Sequence, residues 1–263
     1  MTAPAFVLHD SSTMLRRQLK RMQRYPSLTV QLVGMPVVLL LLFVYVFGGT
    51  LGAGLGVPGG GRADYVNYVA PGIVLIAVVM ASLGTAVSVT MDMTEGIIAR
   101  FRTMAIARTS VLTGHVLGSL IQMTLCVAAV VGVALLVGFR PTAGPAGWLG
   151  AIGVLAALGF ALTWLSVALG LVSPTVETAS NLPQPLVFLP FLGSGFVPTD
   201  SMPAGLRWFA EYQPFTPIIE SIRGLLFSTP IGNSGVVALA WCAGIALVGY
   251  LWAKKLYARD PRR

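Results

Sequence analysis

Met91–Gly118 reads MDMTEGIIARFRTMAIARTSVLTGHVLG, and long apolar runs enter and leave it on both sides. Asp92 and Glu95 open it, and Arg100, Arg102 and Arg108 follow. Thr94 suits a helix N-cap, with Asp92 and Glu95 favouring the positive end of the helix that would start there. Ile97, Phe101 and Met104 then fall at i, i+4 and i+7, which makes one apolar stripe. Gly96 weakens such a helix slightly or lets another backbone approach. On these residues alone two readings weigh evenly. One is an amphipathic element through which a membrane domain is gripped by a soluble partner. The other is a solvated loop between two spans.

Composition fixes the class of chain around this stretch. Of 263 residues 56% are hydrophobic and only 10% charged, with a mean hydropathy of +0.82. Soluble domains carry about 25% charged residues, so an integral membrane protein is expected. The formal net charge is +8, but the basic residues cluster at the ends of apolar runs, where they set topology. No basic patch alternates with aromatics, so nucleic acid is not an expected partner. Cys126 and Cys242 lie inside apolar segments without CxxC spacing, and His9 and His115 stand alone in sequence. No metal site is therefore expected.

Six spans are expected, at 28–47, 68–89, 116–137, 148–172, 182–196 and 235–252, most of them near the ~20 residues that a bilayer core needs. Tyr65 and Tyr68 mark the interfacial end of the second, and Trp148 anchors the fourth. The fifth carries Pro183, Pro185 and Pro190 before Gly193 and Gly195, so it should be kinked and barely long enough. Before the first span, Asp10, Ser11 and Ser12 offer N-caps for a helix over 13–25. Leu15, Leu19 and Met22 share one face of it and five basic residues the other, which is the pattern of an interfacial helix on anionic lipid. Residues 200–227 hold Pro203, Pro214 and Pro217 among Trp208, Phe209, Tyr212 and Phe215. Short re-entrant helices in the outer leaflet are expected there, packed against protein.

The arginines and lysines orient this arrangement. With the N-terminus inside, the cytoplasmic side holds Arg16, Arg17, Lys20, Arg21 and Arg24, then Arg100, Arg102 and Arg108, then the Lys254–Arg263 tail. The outer side holds Arg62, Arg140, Arg207 and Arg223. The positive-inside rule therefore predicts both termini in the cytoplasm and 92–110 as a cytoplasmic loop. The chain has no GxxxxGK[ST], HExxH or GxSxG motif, so it binds no ATP through a P-loop. Its spans hold neutral polar residues (Ser82, Thr85, Ser88, Gln122, Thr163, Ser166) and almost no ionisable ones. That argues against a self-powered, ion-coupled transporter.

Glu95-Gly-Ile-Ile-Ala-Arg100-Phe-Arg102-Thr-Met-Ala-Ile-Ala-Arg108, followed by Gly114 and Gly118, resembles the cytoplasmic loop of ABC type-2 permeases. The kind it is most similar to is that of actinobacterial daunorubicin resistance. Phe191-Leu-Gly-Ser-Gly-Phe-Val-Pro198, Met202-Pro203, Gln213-Pro214 and Arg223-Gly-Leu-Leu226 resemble the outer re-entrant region of that family. The resemblance covers nearly the whole chain, and it departs at Gln213, where Asn is expected before the proline.

What the resemblance implies is the plasma-membrane, multi-pass permease subunit of an ATP-driven exporter, with no enzymatic activity of its own. Two copies of an ATP-binding cassette subunit would carry ATP and magnesium. A second membrane subunit, identical or related, would complete the path within the lipid. Glu95, Gly96, Arg100, Phe101, Arg102, Met104 and Arg108 would form the coupling helix, with Glu177 in a second cytoplasmic contact. Phe196, Pro198, Pro203, Gln213, Pro214 and Arg223 would belong to the outer gate. The scarcity of charge in the spans suits a hydrophobic or amphiphilic cargo, drug-like or lipid. Two other classes stand beside this one. A channel or secondary transporter would work without an ATPase. A membrane enzyme would need clustered acids or histidines, and here the acids are scattered.

Overall fold

The computed structural model describes residues 26–56, 60–95 and 108–258, and all regular structure among them is helical. The expected helix over 13–25 lies outside the described residues. In chain order the helices are α1 (Pro26–Leu42), α2 (Gly48–Ala53), α3 (Arg62–Thr94), α4 (Arg108–Val137), α5 (Pro145–Val172), α6 (Val176–Asn181), α7 (Pro185–Phe188), α8 (Ala204–Tyr212), α9 (Phe215–Phe227) and α10 (Ser234–Ala258). A π-helical turn, Phe43–Phe47, joins α1 to α2. Five stretches are long and apolar enough to cross a membrane: Val30–Ala53, Arg62–Thr94, Gly114–Val137, Pro145–Val172 and Ser234–Tyr257.

The bundle is built around α3. In its most apolar window 72% of residues are buried, against 17–22% for the first, third and last of these stretches. α1, α4, α5 and α9 all pack on it. Lipid tails are as apolar as leucine, so burial alone does not drive span against span, and close packing through small residues takes over. Two glycine contacts illustrate this. A Cβ on Gly72 of α3 would stand 2.8 Å from the Gly195 carbonyl oxygen. At the other end of α3, a Cβ on Gly170 of α5 would stand 2.6 Å from the Ala86 carbonyl oxygen. There the Thr90 hydroxyl donates to the Gly170 carbonyl (2.8 Å).

Local chemistry sets the helix ends. α3 starts after extended Gly61, whose N–H donates to the Asp64 carboxylate (3.2 Å). α4 ends at Gly138, whose φ of +118° is open to glycine. Arg140 then turns back, its Nη1 donating to the carbonyls of Leu135 and Phe139 while its own N–H donates to the Asn67 side chain (2.9 Å). α5 has Pro145 at its start, where no intrahelical N–H is needed, and stops just before Pro174.

The apolar run 182–196 is not one long helix. α6 is followed by a turn, α7, a 3₁₀ turn (Leu189–Leu192) and the extended residue Gly193. Pro183, Pro185 and Pro190 remove N–H donors at short intervals, so no unbroken α-helix forms. This interrupted path nonetheless advances along α3. α5 meets α3 at Gly170 beside Thr90, and the path that follows arrives beside Gly72 at Gly195. At 1.5 Å per helical residue those two points on α3 are about 27 Å apart.

Filling either glycine contact should loosen the bundle. Gly72→Val and Gly170→Val are each expected to destabilise the detergent-solubilised protein by about 1–3 kcal/mol, the usual range for overpacking. The measurement is thermal unfolding beside Gly84→Val as a control, since a Cβ on Gly84 meets nothing within 4 Å. Equal melting temperatures for all three variants would contradict this packing.

Candidate functional site

Two polar arrangements bracket α3, one at each end. At its C-terminal end α3 runs on through Thr94, whose hydroxyl donates back to the Met91 carbonyl (3.0 Å). Thr94 is therefore not the N-cap expected from sequence. The helical hydrogen bonds of the apolar span continue through Thr94 and place Asp92 and Glu95 at the C-terminal end of α3. A carboxylate is disfavoured there by the helix dipole. The structure offsets this for Asp92 with His115 of α4, whose Nε2 lies 3.0 Å from Oδ2, both side chains being 4% exposed. Just beyond, Val89 of α3, Val116 of α4, Val167 and Ala168 of α5, and Ala253 and Tyr257 of α10 form a small apolar cluster separate from the main core.

A cavity of about 30 Å³ adjoins His115 and is lined by Thr85, Ser88, Ser119 and Gln122 with Gly84 and Gly118. Thr85 and Ser119 hydrogen-bond across it (2.5 Å). It is water-sized, far below the roughly 300–1,000 Å³ of drug-sized pockets. Of the other neutral polar residues in the spans, Ser82 donates to the Val78 carbonyl. The Thr163 and Ser166 hydroxyls are buried with no partner among the described residues.

Glu95 closes α3 and is exposed. Gly96, Arg100, Phe101, Arg102 and Met104 lie outside the described residues, and Arg108 opens α4. Glu177 is exposed in the first turn of α6, which packs against α3. Thr175 caps that turn by accepting from the Thr178 N–H (3.2 Å). The Glu177 carboxyl is held below the usual carboxylate range by its own backbone N–H and then by the Thr175 hydroxyl. It therefore presents a firm negative charge on the same side as the α3–α4 connection.

Near the N-terminal end of α3 the turn 193–196 is the meeting point. Phe196 is buried and stacks on Phe191 (4.5 Å between centroids), and the π-helical turn aims Phe43 at it (4.6 Å). Its carbonyl accepts from the Tyr65 hydroxyl (3.3 Å). Arg223 of α9 donates to the carbonyls of Ser194 (2.8 Å) and Tyr68 (3.1 Å), and its guanidinium sits 3.9 Å from the Tyr68 ring centroid. Gln213, between α8 and α9, is buried against Gly193, where a Cβ would come within 2.6 Å of both its Nε2 and the Thr216 hydroxyl. The Gln213 amide, the Ser194 hydroxyl and the Arg223 Nε have no partner among the described residues.

Phe196, Gln213 and Arg223 thus converge, and Pro214 opens α9 beside them. Pro198 and Pro203 instead start short helices in the connection. Arg207 pairs with Asp200 (2.6 Å) and Glu211 (2.7 Å) on the exposed surface, where such pairs are worth little. Glu220 accepts from the Ser234 hydroxyl (3.1 Å).

Sequence reasoning missed the Asp92–His115 pair, the bond from Tyr65 and the cation–π contact of Tyr68. Tyr65, expected at the interfacial end of its span, lies in the first turn of α3 and is fully buried. The available signal was that an acid and a histidine each stand near the end of a span, where an unpaired charge is costly.

Replacing Arg223 should free the turn it holds. Arg223→Leu leaves two carbonyls without their donor, at about 1–3 kcal/mol. On a Ser194→Cys background it is expected to raise labelling by a membrane-impermeant maleimide several-fold over Ser194→Cys alone. Unchanged labelling would mean that Arg223 does not hold the turn closed.

The family model described as ABC-2 type transporter matches residues 10–227. Among curated proteins, the daunorubicin resistance ABC transporter permease protein DrrB1 of Streptomyces coeruleorubidus is 29% identical over 94% of this chain and 84% of its own length. The probable doxorubicin resistance ABC transporter permease protein DrrC of Mycobacterium tuberculosis is 28% identical over 68% of this chain and 65% of its own. With five apolar helices long enough to cross a bilayer, and a family match spanning most of its length, the chain belongs to the ABC-2 type transporter family and is a multi-pass protein of the plasma membrane.

Proposed function

We propose that this chain is the permease subunit of an ATP-driven exporter that moves a hydrophobic or amphiphilic cargo, drug-like or lipid, outward across the plasma membrane. The observation that carries the reading is the family match over 10–227 in a chain without a P-loop. Such a subunit takes its energy from a separate ATP-binding cassette protein, where ATP and magnesium are bound. The names of the relatives favour export of toxic amphiphiles. The cargo path is made with a second membrane subunit, identical or related.

The topology that goes with this has six crossings and cytoplasmic termini. The interrupted stretch 182–196 serves as the fifth crossing; between Gly170 beside Thr90 and Gly195 beside Gly72 the chain advances about 27 Å along α3. The distribution of arginine and lysine then puts the α3–α4 connection and Glu177 inside, and α8, α9 and the turn 193–196 outside. Glu95–Met104 is the coupling helix, seated in a groove of the ATPase. Phe101 is its apolar anchor, Arg100, Arg102 and Arg108 are its polar contacts, and Glu177 is the second contact. Phe196, Gln213 and Arg223, with Pro198, Pro203 and Pro214 shaping the chain around them, close the outer end of the path.

Reconstitution with and without the cognate ATPase tests the reading. ATP-dependent cargo movement is expected only with both components. Equal movement without the ATPase would point to a channel or secondary transporter. Phe101→Asp is expected to weaken ATPase association about tenfold or more, as loss of a buried aromatic anchor does, while membrane insertion stays normal. Co-purification of that variant at the wild-type level would remove Phe101 from the contact.

A further inference from the structure

A buried polar contact joins the ends of α3 and α4 that flank the connection between them. Asp92 is two residues from the last residue of α3, and His115 is two helical turns into α4. Their 3.0 Å contact at 4% exposure is shielded from water on both sides. The apolar cluster beside it joins the inner ends of α3, α4, α5 and α10. The Thr85–Ser119 hydrogen bond repeats the α3–α4 connection two turns further along α3 and about one turn along α4. A push on the linking stretch therefore meets two helix ends that are already fastened to one another.

We propose that Asp92 and His115 are positioning residues. They clamp the inner ends of α3 and α4 so that displacement of the linking stretch tilts both helices as one body instead of unwinding the last turn of α3. The proposal rests on the reading that this stretch docks on an ATPase. Its chemistry is specific to the pair. The imidazole Nε2 and one carboxyl oxygen meet at 3.0 Å away from water, and a hydrogen bond is directional, so the contact resists sliding. Apolar contacts of equal volume would hold the helices together but would let them slip.

The test uses the membrane subunit assembled with its ATPase in lipid nanodiscs, with spin labels in two pairs of exposed positions. The inner pair, Thr94→Cys and Leu117→Cys, reads the two helix ends against each other. The outer pair, Leu136→Cys and Val236→Cys, reads α4 against α10 at the far side. In the wild-type background, trapping with ATP and vanadate is expected to shift the outer distance and leave the inner one unchanged.

Asp92→Leu with His115→Leu replaces the pair by packed apolar groups, so the complex is expected to assemble and melt normally. Its inner distance should broaden on trapping and its outer shift should be lost. His115→Gln keeps an N–H donor toward Asp92 and should retain the wild-type response. A double-leucine complex that responds like wild type overturns the clamp. So does failure of both that variant and Asp92→Leu with His115→Phe to yield a folded complex, because the pair would then serve the fold alone. If the wild-type complex itself shows no ATP-dependent shift, the docking reading fails, and the clamp fails with it.

Discussion

Everything in this bundle depends on one constraint: inside lipid, each backbone N–H and carbonyl must find its partner within the protein. Long helices meet it alone. The interrupted path from α6 to the turn 193–196 does not, because three prolines and an extended glycine leave gaps in its ladder. It is viable only where another element covers it, and α3 is that element. Gly72 brings the α3 backbone against Gly195, and Arg223 reaches in from α9 to take the carbonyls of Tyr68 and Ser194. The burial of α3 is thus the condition for a broken neighbour, and not just a result of hydrophobicity.

That dependence separates what was legible in the sequence from what was not. Apolar runs of the right length announce Arg62–Thr94, Pro145–Val172 and the other long helices without reference to their neighbours. The prolines of 182–196 announce a break. They do not say that the break lies along α3, since the partner residue is Gly72, more than a hundred positions earlier. Asp92 and His115 illustrate the same limit. Each is unremarkable in its own segment, and a helix start at Thr94 is a fair reading of T-E-G in isolation. What overrides it is the continuity of α3, whose hydrogen bonding runs through the inner interface and carries Asp92 to the wrong end of a helix dipole. Only then does the need for His115 appear. Tyr65 was likewise read as an interfacial anchor by its place in the chain, whereas its hydroxyl is used by a carbonyl 131 residues away.

The outer turn carries more polarity than its packing satisfies. Gln213, Ser194 and Arg223 each keep a buried polar atom without a partner among the described residues, within one small region. Leaving such groups unmade is costly. A native core would be expected to replace them with apolar groups if the region had a single working conformation. Their presence fits a region that exchanges between closed and opened arrangements, the second giving those atoms access to water. The proposed gate would draw on that same balance. Packing of Phe196 against Phe43 and Phe191 favours closure, and hydration of Gln213 and Ser194 favours opening.

Set beside the inner end, this gives α3 an asymmetric pair of attachments. Near its N-terminal end Arg223 of α9 holds it by donating to the Tyr68 carbonyl and lying over the Tyr68 ring. At its C-terminal end Asp92 meets His115 of α4 through two buried side chains. Under the clamp proposed above, a tilt that starts at the Asp92 end passes along α3 with that attachment intact and loads the one at Arg223. Because α3 is also the wall against which the interrupted path lies, the load then falls on Gly195 and the turn beside it.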